Sequence, residues 1–135
     1  MRSRTSPPTR RHRLLVLDDE AYNVDLVRRT FHRISTVFTA ADLPGAEAIL
    51  ATEPIDLVLA DYRLGGAHRD RSGLDAARLI RARRPEAAIV IVTGFADEPA
   101  LVEALEQGAI DALVAKPWQP GDLRRRVEML LARAR

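Results

Sequence analysis

Three aspartates stand directly after short apolar runs, where a buried strand would end. Asp18 and Asp19 follow Leu14 to Leu17, and Asp61 closes the run that begins at Ile55. Carboxylates that share one crevice repel one another, so either some take up protons or a cation neutralises them. Because no histidine or cysteine lies among these groups, a hard ion such as Mg²⁺ suits them better than a transition metal.

A lysine and a threonine follow two further apolar runs. Lys116 is the one lysine among 21 basic side chains, and Thr93 follows the run from Ala87 to Val92. In a chain that otherwise uses arginine, a single compact ammonium indicates a position that needs its shape. Singly, these residues could be turns, caps or surface groups. Together, an ammonium and a hydroxyl opposite a metal-binding acid set are what a phosphoryl group requires.

Continuous apolar runs and helically spaced apolar residues predict the elements that must position these residues. Period and breaker residues predict strands at 13–17, 35–39, 55–61, 87–92 and 111–115 and helices at 20–34, 43–51, 73–83, 97–107 and 121–135. Asp97 is the expected N-cap of the fourth helix. Five strand-helix units predict an α/β fold, a doubly wound parallel sheet with helices on both faces. The carboxyl ends of such strands face the ligand crevice, so the polar residues should meet there.

Composition limits the other functional classes. The 135 residues predict one domain, and the lack of cysteine excludes disulfides and thiol catalysis. No apolar run is long enough for a membrane span, and the start lacks the apolar region of a secretory signal, so we expect a cytoplasmic protein. Residues 1–13 hold five arginines and no acid, whereas the rest holds 16 basic and 19 acidic side chains. We therefore expect a disordered basic tail at 1–12, with contact to nucleic acid as its less favoured alternative.

Between about Leu14 and Leu131 the chain resembles a receiver domain of the bacterial two-component response regulators, the chemotaxis-regulator-like fold. The motifs that carry the resemblance, in this order, are Asp18-Asp19, Asp61 at the end of an apolar strand, Thr93-Gly94 and Lys116-Pro117. The resemblance implies a flavodoxin-like sheet with strand order 2-1-3-4-5, and a receiver domain over residues 13–135.

The resemblance also implies a role for each site residue. Asp61 would accept a phosphoryl group from a phosphohistidine. Asp19 would bind Mg²⁺ directly and Asp18 mainly through water, with Asp61 and the backbone carbonyl of Arg63 completing the set. Lys116 would pair first with Asp61 and then with the phosphoryl oxygens.

Further implications concern the switch and its partners. Thr93 would move to hydrogen-bond the phosphoryl group, and the Lys116-Pro117 peptide bond would be cis. The phosphodonor, a sensor histidine kinase or a histidine phosphotransfer protein, would dock on the first helix. The fourth helix, fifth strand and fifth helix would bind a downstream protein or a second copy. Apart from slow Mg²⁺-dependent self-dephosphorylation, no enzymatic activity is expected.

Three departures from the family pattern limit these implications. Leu113 occupies the switch position where Tyr or Phe is usual, and the loop Tyr62 to Ser72 is longer than usual and contains His68, which we interpret as a surface residue. The chain ends at Arg135, which predicts a single-domain regulator without an attached output domain.

Two alternatives stay open. A receiver fold could act as a constitutive scaffold or adaptor, which Leu113 and the long loop favour slightly. An Asp-nucleophile phosphatase of the haloacid dehalogenase type would use similar residues. In that family, however, the nucleophile lies on the first strand and the acidic pair comes last, whereas here the pair Asp18-Asp19 comes first.

Overall fold

The computed structural model of the chain describes residues 11–63, 73–94 and 96–133, and within these ranges all ten predicted elements are present. The strands are β1 His12–Leu17, β2 Ser35–Ala40, β3 Leu57–Asp61, β4 Ala88–Thr93 and β5 Ala112–Ala115. The helices are α1 Ala21–Phe31, α2 Leu43–Thr52, α3 Gly73–Arg83, α4 Pro99–Glu106 and α5 Pro120–Arg133. None of these described helices combines the length and apolar character that crossing a bilayer requires.

The five strands form one parallel sheet in the order β2-β1-β3-β4-β5. This confirms the predicted doubly wound α/β fold and the strand order implied by the family resemblance. The pairing aligns Asp61 of β3 with Val92 of β4, and Thr93 of β4 with Ala115 of β5. The carboxyl ends of these three neighbouring strands therefore finish at one level of the sheet.

Helices cover both faces of the sheet, which explains why the strands are continuous apolar runs. One face packs against α2, α3 and α4, and the other packs against α1 and α5. Side chains that alternate along each strand supply the two cores. The first core includes Leu15, Val58, Ile89 and Ile91, and the second includes Leu14, Val16, Leu57 and Val90.

The observed boundaries correct two details of the sequence prediction. Glu98, not Asp97, occupies the N-cap position of α4, so the predicted Asp97 cap is wrong. Pro99 begins the helix as expected, because its fixed φ and missing N–H suit the first helical position. At the other end of the chain, His12 already belongs to β1 although the tail was expected to reach it. Residues 1–10 lie outside the described ranges.

A polar cluster at the amino end of the sheet positions β5. The carboxylate of Asp111 accepts a hydrogen bond from the backbone amide of Ile89 at 2.8 Å. It also forms an ion pair with Arg81 at 3.2 Å. The Arg81 guanidinium also donates to the carbonyl of Ala87 at 3.0 Å. These bonds tie the residue before β5 to the start of β4, and so support the pairing that places Lys116.

Gly73, the first residue of α3, lies against the strand end that carries Asp61. Its amide donates to the carbonyl of Tyr62 at 2.7 Å. A Cβ at this position would lie 3.0 Å from Tyr62 Cα and from Ile91 Cδ1, and 3.2 Å from the Asp61 carbonyl oxygen. Two of these three neighbours are backbone atoms, so the strand end or the helix would have to move.

We predict that Gly73→Ala lowers the free energy of unfolding by about 1–3 kcal/mol, because overpacking forces backbone shifts. Urea unfolding followed by circular dichroism measures the change. Gly121→Ala in α5 is the matched control, since a Cβ there meets nothing within 4 Å of described structure. Equal stability of the two variants would contradict the proposed close approach.

Candidate functional site

The ends of the strands bring the predicted acids together. Asp18 and Asp19 directly follow β1, and Asp61 is the last residue of β3. One carboxylate oxygen from each lies within 4.8 Å of the other two. Since β1 and β3 are neighbours in the sheet, the grouping follows from parallel pairing of the two strands.

Asp18 is the most constrained of the three acids. Only 7% of its surface is exposed, and its backbone amide donates to the carbonyl of Ala40 at 3.0 Å. Its carboxylate accepts a hydrogen bond from the amide of Glu20 at 2.9 Å. Burial raises the pKa of Asp18 above its ordinary value of 3.8, and repulsion by Asp61 adds to the rise. The Glu20 bond and the nearby Lys116 only partly offset these two effects.

Lys116, the residue after β5, contacts Asp61. Its Nζ lies 3.0 Å from Asp61 Oδ1, in a pair whose aspartate side chain is 11% exposed and whose lysine side chain is 31% exposed. The backbone amide of Lys116 donates to the carbonyl of Thr93 at 2.8 Å. The Lys116-Pro117 peptide bond is cis, as the family resemblance implied. Trp118 packs, partly buried, on the core that includes α5.

Thr93 ends β4 at the level of the acids and is 2% exposed. Leu113, at the usual aromatic switch position, is partly buried against the core formed with α2, α3 and α4. Arg63, two residues beyond Asp61, is exposed. His68, with the rest of the loop at 64–72, lies outside the described residues.

One polar contact at the same edge was missed by the sequence reasoning. The hydroxyl of Tyr62, the residue after Asp61, donates a hydrogen bond to the carboxylate of Glu98. This bond raises the pKa of Tyr62, and burial and the negative charge of Glu98 act in the same direction. No local pattern could have revealed the pair, because its members lie 36 residues apart.

The donor set fits a hard divalent cation. Three carboxylates contribute oxygens at short range, and the raised pKa of Asp18 reflects burial together with the repulsion that a cation would relieve. Oxygen donors without nitrogen or sulfur suit Mg²⁺. Lys116 leaves the group with a net negative charge, since it offers one positive charge against three carboxylates.

The chain is similar in sequence to known proteins. Residues 14–128 match the family model of the response regulator receiver domain. The alginate biosynthesis transcriptional regulatory protein AlgB of Pseudomonas aeruginosa is 37% identical over 117 residues, which cover 83% of this chain and 24% of that protein. The response regulator protein PilR of the same organism is 34% identical over 122 residues, 90% of this chain and 26% of that protein. The chain thus spans about a quarter of the length of these relatives.

A solved structure shows the same fold. The CheY-like response regulator receiver domain protein from Methanospirillum hungatei JF-1 superimposes with a TM-score of 0.81 at 24% identity. The match covers 91% of this chain and 95% of that one. At this level of identity the likeness concerns the fold alone.

We predict that Asp18→Asn raises the free energy of unfolding at neutral pH without Mg²⁺ and lowers Mg²⁺ affinity about tenfold or more. The amide keeps an oxygen for the Glu20 amide and removes both the buried charge and its repulsion by Asp61. Because the folded-state pKa of Asp18 is raised, its stabilising contribution is present below the unfolded pKa and is lost as pH rises through the folded pKa. The variant should lack this loss.

Urea unfolding between pH 3 and pH 7 in EDTA, together with calorimetric Mg²⁺ titration, checks both effects. Asp19→Asn is the control, because Asp19 is exposed. It should lose Mg²⁺ affinity while its stability stays within about 0.5 kcal/mol of wild type. If Asp18→Asn were less stable than the Asp19 variant without Mg²⁺, the argument from buried charge would be wrong.

Proposed function

The chain belongs to the response regulator receiver domain family of two-component systems, and from that premise we propose that Asp61 is its phosphoacceptor. The observation that carries the proposal is the position of Asp61 between Lys116, at 3.0 Å, and the carboxylates of Asp18 and Asp19. A nucleophilic carboxylate held between an ammonium and a cation-binding acid pair is suited to phosphoryl transfer.

The reaction is a transfer from nitrogen to oxygen. A carboxylate oxygen of Asp61 attacks the phosphorus of a phosphohistidine, so that a P–O bond forms as the P–N bond breaks. The electron pair of the broken bond stays on the imidazole, which leaves and takes up a proton. Lys116 then pairs with the phosphoryl oxygens, and the hydroxyl of Thr93 donates a hydrogen bond to them.

Mg²⁺ would be held by Asp18, Asp19, Asp61 and the backbone carbonyl of Arg63. When bound, the ion neutralises charge that develops on the phosphoryl oxygens. Asp19 would bind the ion directly and Asp18 mainly through water, and the mutual repulsion of the carboxylates would favour binding of a cation. Slow hydrolysis of the acyl phosphate, dependent on the same residues, would reset the protein.

The partners follow from phosphohistidine chemistry. A sensor histidine kinase or a histidine phosphotransfer protein would supply the phosphoryl group, docking at α1 and the neighbouring loops. The output surface would be α4, β5 and α5, either for a downstream protein or for a second copy. In its favour, Val102 and Leu105 of α4 and Met129 of α5 are large exposed apolar side chains.

A constitutive scaffold is the second candidate function. The observation that favours it is Leu113, which offers neither an aromatic ring nor a hydroxyl at the usual switch position. A scaffold would bind its partner equally well before and after phosphorylation. Partner affinity measured in both states by calorimetry therefore separates the two functions.

We predict that Asp61→Asn abolishes Mg²⁺-dependent formation of an acyl phosphate, because the amide is a poor nucleophile. Phosphorylated kinase domain supplies the donor, and hydroxylamine-sensitive labelling of the chain is the measurement. Asp122→Asn, which alters an exposed aspartate of α5, is the control and should label normally. Persistent labelling of the Asp61 variant would disprove the assignment.

We further predict that Lys116→Ala slows phosphorylation about 100-fold, since a preorganised charge facing the transferred group is lost. Lys116→Arg should fall in between, because guanidinium keeps the charge in a larger planar group. Single-turnover transfer rates provide the measurement. As the control, Arg126→Ala removes a cation from the exposed face of α5 and should leave the rate unchanged. An equal loss of rate in the Arg126 variant would contradict a specific role for Lys116.

A further inference from the structure

The hydrogen bond between Tyr62 and Glu98 joins the acceptor strand to α4. Tyr62 is the residue after Asp61, and its backbone is held on both sides. Its amide donates to the carbonyl of Val92 at 3.0 Å, and its carbonyl accepts from the amide of Gly73 at 2.7 Å. The side chain therefore extends from a backbone that is held in place, and its hydroxyl contacts the Glu98 carboxylate.

Glu98 controls the start of α4 through its backbone. It occupies the N-cap position, and its carbonyl accepts from the amides of Leu101 at 3.0 Å and Val102 at 3.1 Å. Its side chain makes no capping bond to the amides of α4 and instead accepts the hydrogen bond from Tyr62. Holding the carboxylate of Glu98 thus holds the residue that closes the first turn of α4.

A phosphoryl group on Asp61 would act on this bond through charge. The group itself carries about 1.5 to 2 negative charges at neutral pH. Because it replaces the single charge of the Asp61 carboxylate, the site next to Tyr62 gains up to about one negative charge. Glu98 follows β4 at the same edge of the sheet, so its carboxylate is repelled by the added charge. A ligand or modification shifts a two-state equilibrium only through such a difference in interaction between the states.

We propose that Tyr62 is a positioning residue whose hydrogen bond to Glu98 transmits the phosphorylation state of Asp61 to the first turn of α4. The inference rests on the proposed function of Asp61 and adds the route by which a chain with Leu113 at the switch position signals. In the resting state the bond keeps the first turn of α4 hydrogen-bonded to the Glu98 carbonyl. Phosphorylation weakens the bond and releases the first turn.

Two variants separate the bond from the charge. Tyr62→Phe removes the donor and keeps the ring, so the first turn should be released in both states. Glu98→Gln keeps an acceptor for the phenol and removes the charge, so the bond should persist in both states. Tyr22→Phe, at an exposed tyrosine of α1, is the matched control and should behave as wild type.

Amide hydrogen exchange at Leu101 and Val102, followed by NMR with and without Mg²⁺ and beryllofluoride, tests the proposal. In wild type, beryllofluoride should accelerate exchange about tenfold, as expected for loss of one charge-assisted hydrogen bond. Tyr62→Phe should exchange about tenfold faster than wild type without beryllofluoride and show no further change. Glu98→Gln should stay slow throughout.

Fluorine NMR of bound beryllofluoride distinguishes the two levels of failure. If wild type binds no beryllofluoride at Asp61, both the proposed function and the coupling are overturned. If beryllofluoride binds but the two amides exchange equally in wild type and Tyr62→Phe, only the coupling is overturned. Should Tyr62→Phe not fold, accelerated exchange of Glu98→Gln with beryllofluoride would still overturn the proposed route.

Discussion

The ion pair between Lys116 and Asp61 depends on strands that do not touch each other. Asp61 ends β3 and Lys116 follows β5, with β4 between them. The 3.0 Å contact therefore exists only because β4 pairs in register with both neighbours, and because the carbonyl of Thr93 accepts from the Lys116 amide. A slip of one residue would turn side chains to the opposite face of the sheet and disperse the site. The apolar cores that enforce the register thus also hold the chemistry.

The same edge of the sheet is a source of instability. Asp18 is buried with a raised pKa beside a second carboxylate, which disfavours its ionised form in the resting protein. Local conflicts of this kind concentrate at functional sites, where the surrounding fold must compensate. Here the compensation comes from continuous apolar strands covered on both faces, and from the Arg81 and Asp111 cluster at the opposite end of the sheet.

Two contacts connect the end of β3 to the starts of α3 and α4. Gly73 allows α3 to approach the backbone at the end of β3, and the hydroxyl of Tyr62, the residue after β3, contacts Glu98. Backbone bonds fix Tyr62, whereas its link to α4 is a single, partly buried side-chain bond. The Tyr62 ring packs against the core. The bond to Glu98 uses only the hydroxyl, so it can break while the ring stays packed. Stability and signalling can therefore reside in different parts of one small fold.

The amino-acid sequence by itself determined the ten elements, the parallel sheet and the placement of Asp18, Asp19, Asp61, Thr93 and Lys116 at strand ends, because apolar runs and helix breakers are local signals. It misplaced the cap of α4, since Asp97 and Glu98 are both acidic and only the observed backbone distinguishes them. The tertiary structure alone decided the 4.8 Å grouping of carboxylates, the raised pKa of Asp18 and the bond between Tyr62 and Glu98. These properties depend on distances between residues far apart in the chain, and such distances are set by how strands and helices pack.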